Sequence, residues 1–511
     1  MANISRIFIT HMHADHVLGL VAIMATIMSG VGTTEASLEK LRELGTGKQA
    51  DVNIYGPAGL RQLIRMSLNQ TSVTLAGAYA VHEFLSPGSN SSAACGAEDL
   101  HFNEAVGMDL EADAEGVWDS FLREGNGRGG KGWAVSAGPI THRVPSWGYV
   151  MKEPVPRIPL DTPTLIPLLQ SNAMALGALD PPVKHPLSLL THLTSLPTPP
   201  PYKLPSGEIL CPPRPSGIPP RKFVILGDCS GGTQNEHFRQ MCQDASLLIH
   251  ECTNSAIPEL IQKSDRGMKV RKRELEQSLL KRQEKLEGPK TNESVRPAMP
   301  DHMKDGSDSG SRHVREAAKR TEVRRKALSR GHSTPDEVGE FARSIRARRV
   351  VVNHFSAMFP SPRYPTSGTF PSILLPISPF PCPTPEPQHN PSNPLLEPHP
   401  LTGTELHLRL ILQSVADQIS NVWNGAESNG SNTEKDSSHL AISSNAHRMA
   451  IPARDFMVIR IPAHDLTDDE VGEMKRAKEE ARQVTKEWEQ YGGLWLDEGN
   501  SRRWVGIDEP E

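Results

Sequence analysis

A chain of 511 residues with a net charge of −5, 5% aromatic side chains and 44 prolines is longer than one minimal domain, and too poor in packable side chains for its whole length to be core. The prolines are local: 18 fall in 154–220 and 14 in 360–400, which argues against regular helix or central strand in either stretch. Six cysteines with no CxxC pair exclude a disulfide or thiolate-zinc framework and point to a reducing, intracellular compartment.

In chain order, the β-branched run at 4–10 reads as a buried strand. It feeds directly into His11-Met-His-Ala-Asp-His16, and the apolar stretch that follows, 17–29, reads as a helix. That stretch is too short for the ~20 residues a membrane span needs, so no membrane partner is expected. Strand 52–55, the turn 56–59 and helix 60–68 continue a β-α-β-α alternation, the mark of a layered α/β fold. Further strands are expected at 81–85, 133–136 and 147–151, with a Gly-rich loop over 86–130. Short β-rich runs recur at 223–226, 247–249 and 349–352. A helix is expected just after His332, capped by Ser333 or Thr334 with Glu337 in its first turn. Residues 455–461 read as a last strand and 468–491 as a charged helix. The stretch 263–330 carries 20 Lys and Arg against 11 Asp and Glu, which suits either a solvated insertion or a surface for a phosphate backbone.

The densest chemistry lies in the first turn. His11, His13, Asp15 and His16 leave one strand end together, and imidazole nitrogen and carboxylate oxygen are zinc ligands. Four such groups crowd a single ion, whereas alternate residues can serve two neighbouring ones. Further candidates each stand where an expected strand ends: His142, Asp228, the pair His250 and Glu251, and His354, with His332 before its helix. The remaining histidines lie in polar or unpatterned contexts and receive no role.

Several blocks carry a family resemblance in a fixed order: Ile7-Phe-Ile-Thr-His-Met-His-Ala-Asp-His16, Ile54-Tyr-Gly-Pro57, His142-Arg-Val-Pro-Ser146, Ile225-Leu-Gly-Asp228, Leu248-Ile-His-Glu-Cys-Thr253, Gly331-His-Ser-Thr-Pro335, His354-Phe-Ser356 and Asp455-Phe-Met-Val458. In these the chain resembles tRNase Z, the endoribonuclease of the metallo-β-lactamase superfamily that removes the 3′ trailer of precursor tRNA. The resemblance implies an αββα sandwich holding two zinc ions. His11, His13 and His142 would hold one ion, Asp15, His16 and His354 the other, and Asp228 would bridge them. It implies that Asp15 orients or deprotonates the attacking water and that His332, oriented by Glu251, protonates the leaving 3′ oxygen. The products would be a tRNA with a 3′ hydroxyl and a trailer with a 5′ phosphate.

On this reading residues 1–150 form the first part of the core, expected to lack the family's opening strands, and 151–221 form a Pro-rich insertion where the family has its tRNA-binding arm. Residues 222–357 form the second part of the core with a basic insertion at 255–330, 358–450 a low-complexity insertion without a fold, and 451–511 a final strand and helix. Both Pro-rich insertions are expected to be disordered. Precursor tRNA is the expected partner and a homodimer the expected assembly, while nothing chooses between nucleus, cytoplasm and mitochondrion. Two alternatives stay open: a metallo-hydrolase of another ester or phosphodiester, since a fold does not fix a substrate, and an inactive RNA-binding homologue.

Overall fold

The computed structural model describes residues 4–28, 35–86, 100–123, 132–195, 198–258, 307–356, 403–425, 448–453, 493–498 and 501–506, with a few single positions between them. Two sheets carry the architecture. The first is parallel throughout, in the order β1 (Arg6–Phe8), β2 (Val52–Pro57), β3 (Tyr79–Leu85) and β4 (Asp109–Glu111). The second has seven strands in the order β13-β12-β11-β10-β7-β6-β5. Its members are β5 (Trp118–Arg123), β6 (Ala134–Pro139), β7 (Trp147–Lys152), β10 (Lys222–Ile225), β11 (Leu247–Glu251), β12 (Val350–Asn353) and β13 (Ala450–Pro452). It is antiparallel from β5 to β10 and parallel from β10 to β13.

Side-chain alternation along the strands decides which layer each residue joins. Ile54 of β2 faces outward onto α1 (Ala14–Val17), α2 (Leu20–Met28) and α4 (Leu60–Thr71), where Val17, Leu20, Met24, Leu60, Ile64 and Leu68 cover the sheet. Its neighbour Tyr55 faces inward, into an aromatic layer with Phe8, Phe84, Trp118, Trp147 and Tyr149. Tyr149 and Val150 repeat the split across β7, with Val150 on the far side against the helices that cover the second sheet. Those helices are α8 (Glu236–Cys242), α10 (Pro335–Ser344) and α11 (Gly403–Trp423), which supply Phe238, Phe341, Val415, Ile419 and Trp423. The layers therefore run helix, sheet, sheet, helix, as expected. Between α4 and α8 lie α5 (Thr162–Ser171), α6 (Ala173–Gly177) and α7 (Ser188–Leu193), with the short hairpin β8 (Tyr202–Lys203) and β9 (Ile209–Leu210). Two further helices are α3 (Glu35–Leu44) and α9 (Ser307–Ser329), the latter tied to α10 by the pairs Arg320–Asp336 and Arg324–Glu337.

Three expectations need correction. The stretch 154–220 is not devoid of regular structure: Pro163 sits in the first turn of α5, where its missing N–H costs nothing, and Asp161 caps that helix through its bond from the Thr164 amide. Leu169, Leu176, Leu189, Leu193, Leu204 and Leu210 then close a small core of their own, so leucine spacing overrides proline count. The stretch 358–450 contains α11, whose Val415, Ile419 and Trp423 are buried in the main core. The loop expected at 86–130 includes β4 and β5. In β5 a register shift between Trp118 and Leu122, with Ser120 at φ 47°, breaks the period-two pattern that would have revealed a strand. Residues 455–460 lie outside the described residues, and within 468–491 only Gly472, Arg476, Glu479 and Gln483 are described, all helical. Beyond them β14 (Gly493–Glu498) and β15 (Ser501–Gly506) form a hairpin the sequence reading did not foresee. No helix among the described residues is long and apolar enough to cross a membrane.

Candidate metal centre

The strand ends of both sheets meet at one edge. The Tyr149 hydroxyl donates to the Ile9 carbonyl at 2.5 Å and the Trp147 amide to Thr10 at 2.8 Å, tying β7 to the segment that leaves β1. A Cβ on Gly227 would stand 2.5 Å from the Thr10 side chain, so only glycine lets the chain after β10 approach closely enough to bring Asp228 beside His11. His11, His13 and His16 come from the turn after β1, His142 from the β6–β7 connection, Asp228 from beyond β10 and His354 from the residue after β12. His354 lies at φ 57°, a left-handed conformation that aims its ring back toward the centre.

Two clusters result, each with ligand atoms within 4.8 Å of one another: His11, His13, His142 and Asp228, and Asp15, His16 and His354. In the first, His11 Nε2 and His142 Nε2 stand 3.0 and 3.3 Å from His13 Nδ1. His142 Nδ1–H donates to the Gly331 carbonyl at 2.7 Å, which leaves Nε2 as a lone pair pointing into the cluster. His11 is wholly buried, and burial, then the charge of His16, lower its pKa to about 3; burial also lowers that of His142. Imidazole nitrogens converging on one point with a buried carboxylate, two of the rings partly exposed, are the donor set a divalent cation needs, and the residues fit zinc.

Asp228 joins the clusters. Its Oδ2 is 3.7 Å from His11 Nε2, while its Oδ1 is 3.4 Å from both His16 Nε2 and His354 Nε2. Burial opposes its charge, but the hydrogen bond from His16 and the charges of His354, His16 and His11 hold its carboxyl down to about 2. Asp15, 68% exposed at its side chain, sits with Oδ2 3.6 Å from His16 Nε2 and 3.7 Å from His354 Nε2.

A second layer stands behind the ligand atoms. Glu251, buried at the end of β11, accepts at Oε1 from the amides of Cys229 (3.2 Å) and Ser333 (2.9 Å), and at Oε2 from the Thr253 amide (2.8 Å). His332 brings Nδ1 to 3.2 Å from Glu251 Oε1, and that bond, against the opposing effect of burial, raises its pKa. His332 also falls within reach of Asp228 and His354 as a third ligand grouping. The nitrogen in reach is Nδ1, 3.8 Å from Asp228 Oδ2, and its proton is engaged by Glu251, so we assign it no cation. His250, a candidate on sequence, is buried with Nδ1 on the Glu251 carbonyl at 2.7 Å and belongs to neither cluster. Burial raises the thiol pKa of Cys229 and Cys252, which keeps both protonated and unlike ligands. Sequence reasoning placed Thr10, Thr253, Gly331 and Ser333 in blocks of the family resemblance, and Ser333 as a possible helix cap, but missed the parts they play around the centre.

No protein-family profile matches this chain. The bovine zinc phosphodiesterase ELAC protein 1 is 29% identical over 258 residues, 49% of this chain and 62% of that protein. The human protein of the same name is 26% identical over 366 residues, 70% of this chain and 73% of its own length. Ribonuclease Z of Prochlorococcus marinus (strain MIT 9312) is 24% identical over 256 residues, half of this chain and 60% of the other. The crystal structure of human tRNase Z, short form, aligns with 70% of the chain at 21% identity and a TM-score of 0.34. Several of these relatives are thus matched over less than two thirds of their length.

Proposed function

We propose that this chain is a zinc-dependent endoribonuclease that removes the 3′ trailer from precursor tRNA, a reading supported by its similarity to proteins named zinc phosphodiesterase ELAC protein 1 and ribonuclease Z. The observation that carries the reading is the division of Asp228 between two histidine sets, one carboxylate oxygen toward each. His11, His13 and His142 would hold one zinc, Asp15, His16 and His354 a second, with Asp228 shared. Zinc so held supplies positive charge for a phosphodiester's nonbridging oxygens and makes water a stronger acid.

The rest falls to side chains of the chain itself. Asp15, at the open side of the centre, orients the attacking water and takes its proton. His332 keeps Nδ1 on Glu251, which leaves Nε2 to give a proton to the leaving 3′ oxygen. Glu251 is fixed by three backbone amides, so the His332 ring is held rather than searching. The basic composition of 263–330 suits a phosphate backbone, and a homodimer, which would sediment at twice the chain mass, is the assembly we expect. The described cysteines are all free, which supports an intracellular site.

The test is cleavage of a 3′-extended precursor tRNA by zinc-loaded protein, with end analysis of both products. A 3′ hydroxyl on the tRNA and a 5′ phosphate on the trailer are expected. Hydrolysis confined to a small phosphodiester would remove tRNA as substrate, and full zinc occupancy with no hydrolysis of either would leave an RNA-binding homologue.

A further inference from the structure

Thr253 donates its hydroxyl proton to Glu251 Oε2 at 2.8 Å, and the same Oγ1 lies 2.9 Å from His354 Nδ1 and 3.2 Å from His332 Nδ1. A hydroxyl has one proton and two lone pairs. With the proton committed to a carboxylate, which can only accept, both imidazole contacts must be N–H donations to oxygen. One atom therefore sets the tautomer of two rings. By accepting from Nδ1–H it keeps the His354 proton on Nδ1 and turns the Nε2 lone pair toward Asp228 and Asp15, 3.4 and 3.7 Å away. It likewise accepts from Nδ1–H of His332, which Glu251 also faces, so the second proton that the ring carries as an acid sits on Nε2, the nitrogen free to give it up. The two rings lie nearly parallel, 19° apart with centroids at 5.5 Å.

We propose that Thr253 is a positioning residue that couples the metal-ligand face of the site to its proton donor; this rests on the reading of His354 as a ligand and His332 as the acid. A purely structural role fits less well. Glu251 already receives the amides of Cys229, Thr253 and Ser333, so it is satisfied without the hydroxyl, and the side chain of Thr253 is only half-buried. Asp228 faces both histidines from the ligand side, at 3.4 and 3.8 Å, whereas the Thr253 hydroxyl lies within hydrogen-bond distance of the Nδ1 of each.

The experiment compares Thr253→Val, which keeps the shape and loses the oxygen, with Thr253→Ser, which keeps the oxygen. Each is measured for zinc retention against a chelator, for kcat and KM on precursor tRNA, and for kcat on bis(p-nitrophenyl) phosphate, whose leaving group needs no proton. Thr253→Val is expected to hold zinc about 10-fold or more weakly. At saturating zinc its kcat on RNA is expected to fall roughly 10- to 100-fold, with KM within about twofold, and its rate on the activated diester to fall much less. Thr253→Ser is expected to restore all three. Wild-type zinc retention and RNA kcat in the valine variant would overturn the proposal, as would equal losses on both substrates or a serine variant no better than valine. Should Thr253→Val fail to fold by circular dichroism, Thr253→Ala against Thr253→Ser gives the same comparison. A wild-type protein that binds zinc yet leaves precursor tRNA uncut would instead sink the substrate assignment, while the zinc and diester arms still judge Thr253.

Discussion

Asp228 and His332 lie 3.8 Å apart and should separate binding from chemistry. Asp228→Ala removes the one carboxylate that faces both histidine sets, so turnover is expected to vanish and zinc to fall below two equivalents by elemental analysis. His332→Ala should keep its zinc and slow RNA cleavage by about 10²- to 10⁴-fold, the usual contribution of a general acid; zinc loss in that variant would contradict its assignment. Gly331 makes a third case. It stands at φ 79°, its carbonyl accepts from His142, and an added Cβ would lie 2.6 Å from His142 Nδ1. Gly331→Ala is expected to weaken zinc retention about 10-fold or more by turning that ring, and equal chelator resistance would refute this. At this scale the HxHxDH turn was legible because its density has no structural use. Thr253 and Gly331 were not, since a hydroxyl or a carbonyl gains a role only from what the fold sets against it.

Elements were read best where a local signal and a tertiary demand agreed. The helix after His332 starts as its capping pattern required: the Thr334 amide and hydroxyl both donate to Glu337 Oε2, at 2.9 and 2.6 Å. Because that helix begins three residues beyond His332, its cap also fixes the turn carrying the proton donor. Thr334→Ala should cost about 1 kcal/mol of stability, read as a lower urea midpoint with an unchanged slope. Where local and tertiary signals parted, the reading failed. The prolines of 154–220 pointed away from helix, yet α5 takes Pro163 at its start and carries Pro167 within it. The helix α11 sits in a stretch whose composition promised nothing, and it is packed because α10 and the second sheet offer it an apolar face.

For the whole molecule, the interior between the sheets predicts a pH response. His82 of β3 is 5% exposed, stacks on Tyr55 at 4.5 Å and bonds Asn53 through Nε2, while its Nδ1 has no hydrogen-bond partner. Burial, then the charge of Arg61, lowers its pKa to about 4. The unfolded chain therefore binds a proton that the folded one refuses between roughly pH 6.5 and 4, and stability falls as pH falls through that window. At pH 5 this share is on the order of 2 kcal/mol. Urea unfolding of His82→Gln between pH 7.5 and 5 should show a flatter loss than the parent, and parallel curves would exclude His82 as a source. The sequence alone determined the layered α/β class, most of the strands that lead to the site and the identities of the metal-binding candidates, because periodicity and ligand chemistry are properties of neighbouring residues. The family resemblance implied a shared Asp228 and a Glu251 behind His332, but only the tertiary structure gave the distances at which they stand, set Thr253 against both His332 and His354, and put α11 in the core. Those facts depend on distances between residues up to hundreds of positions apart, which packing of the two sheets sets and no local pattern encodes.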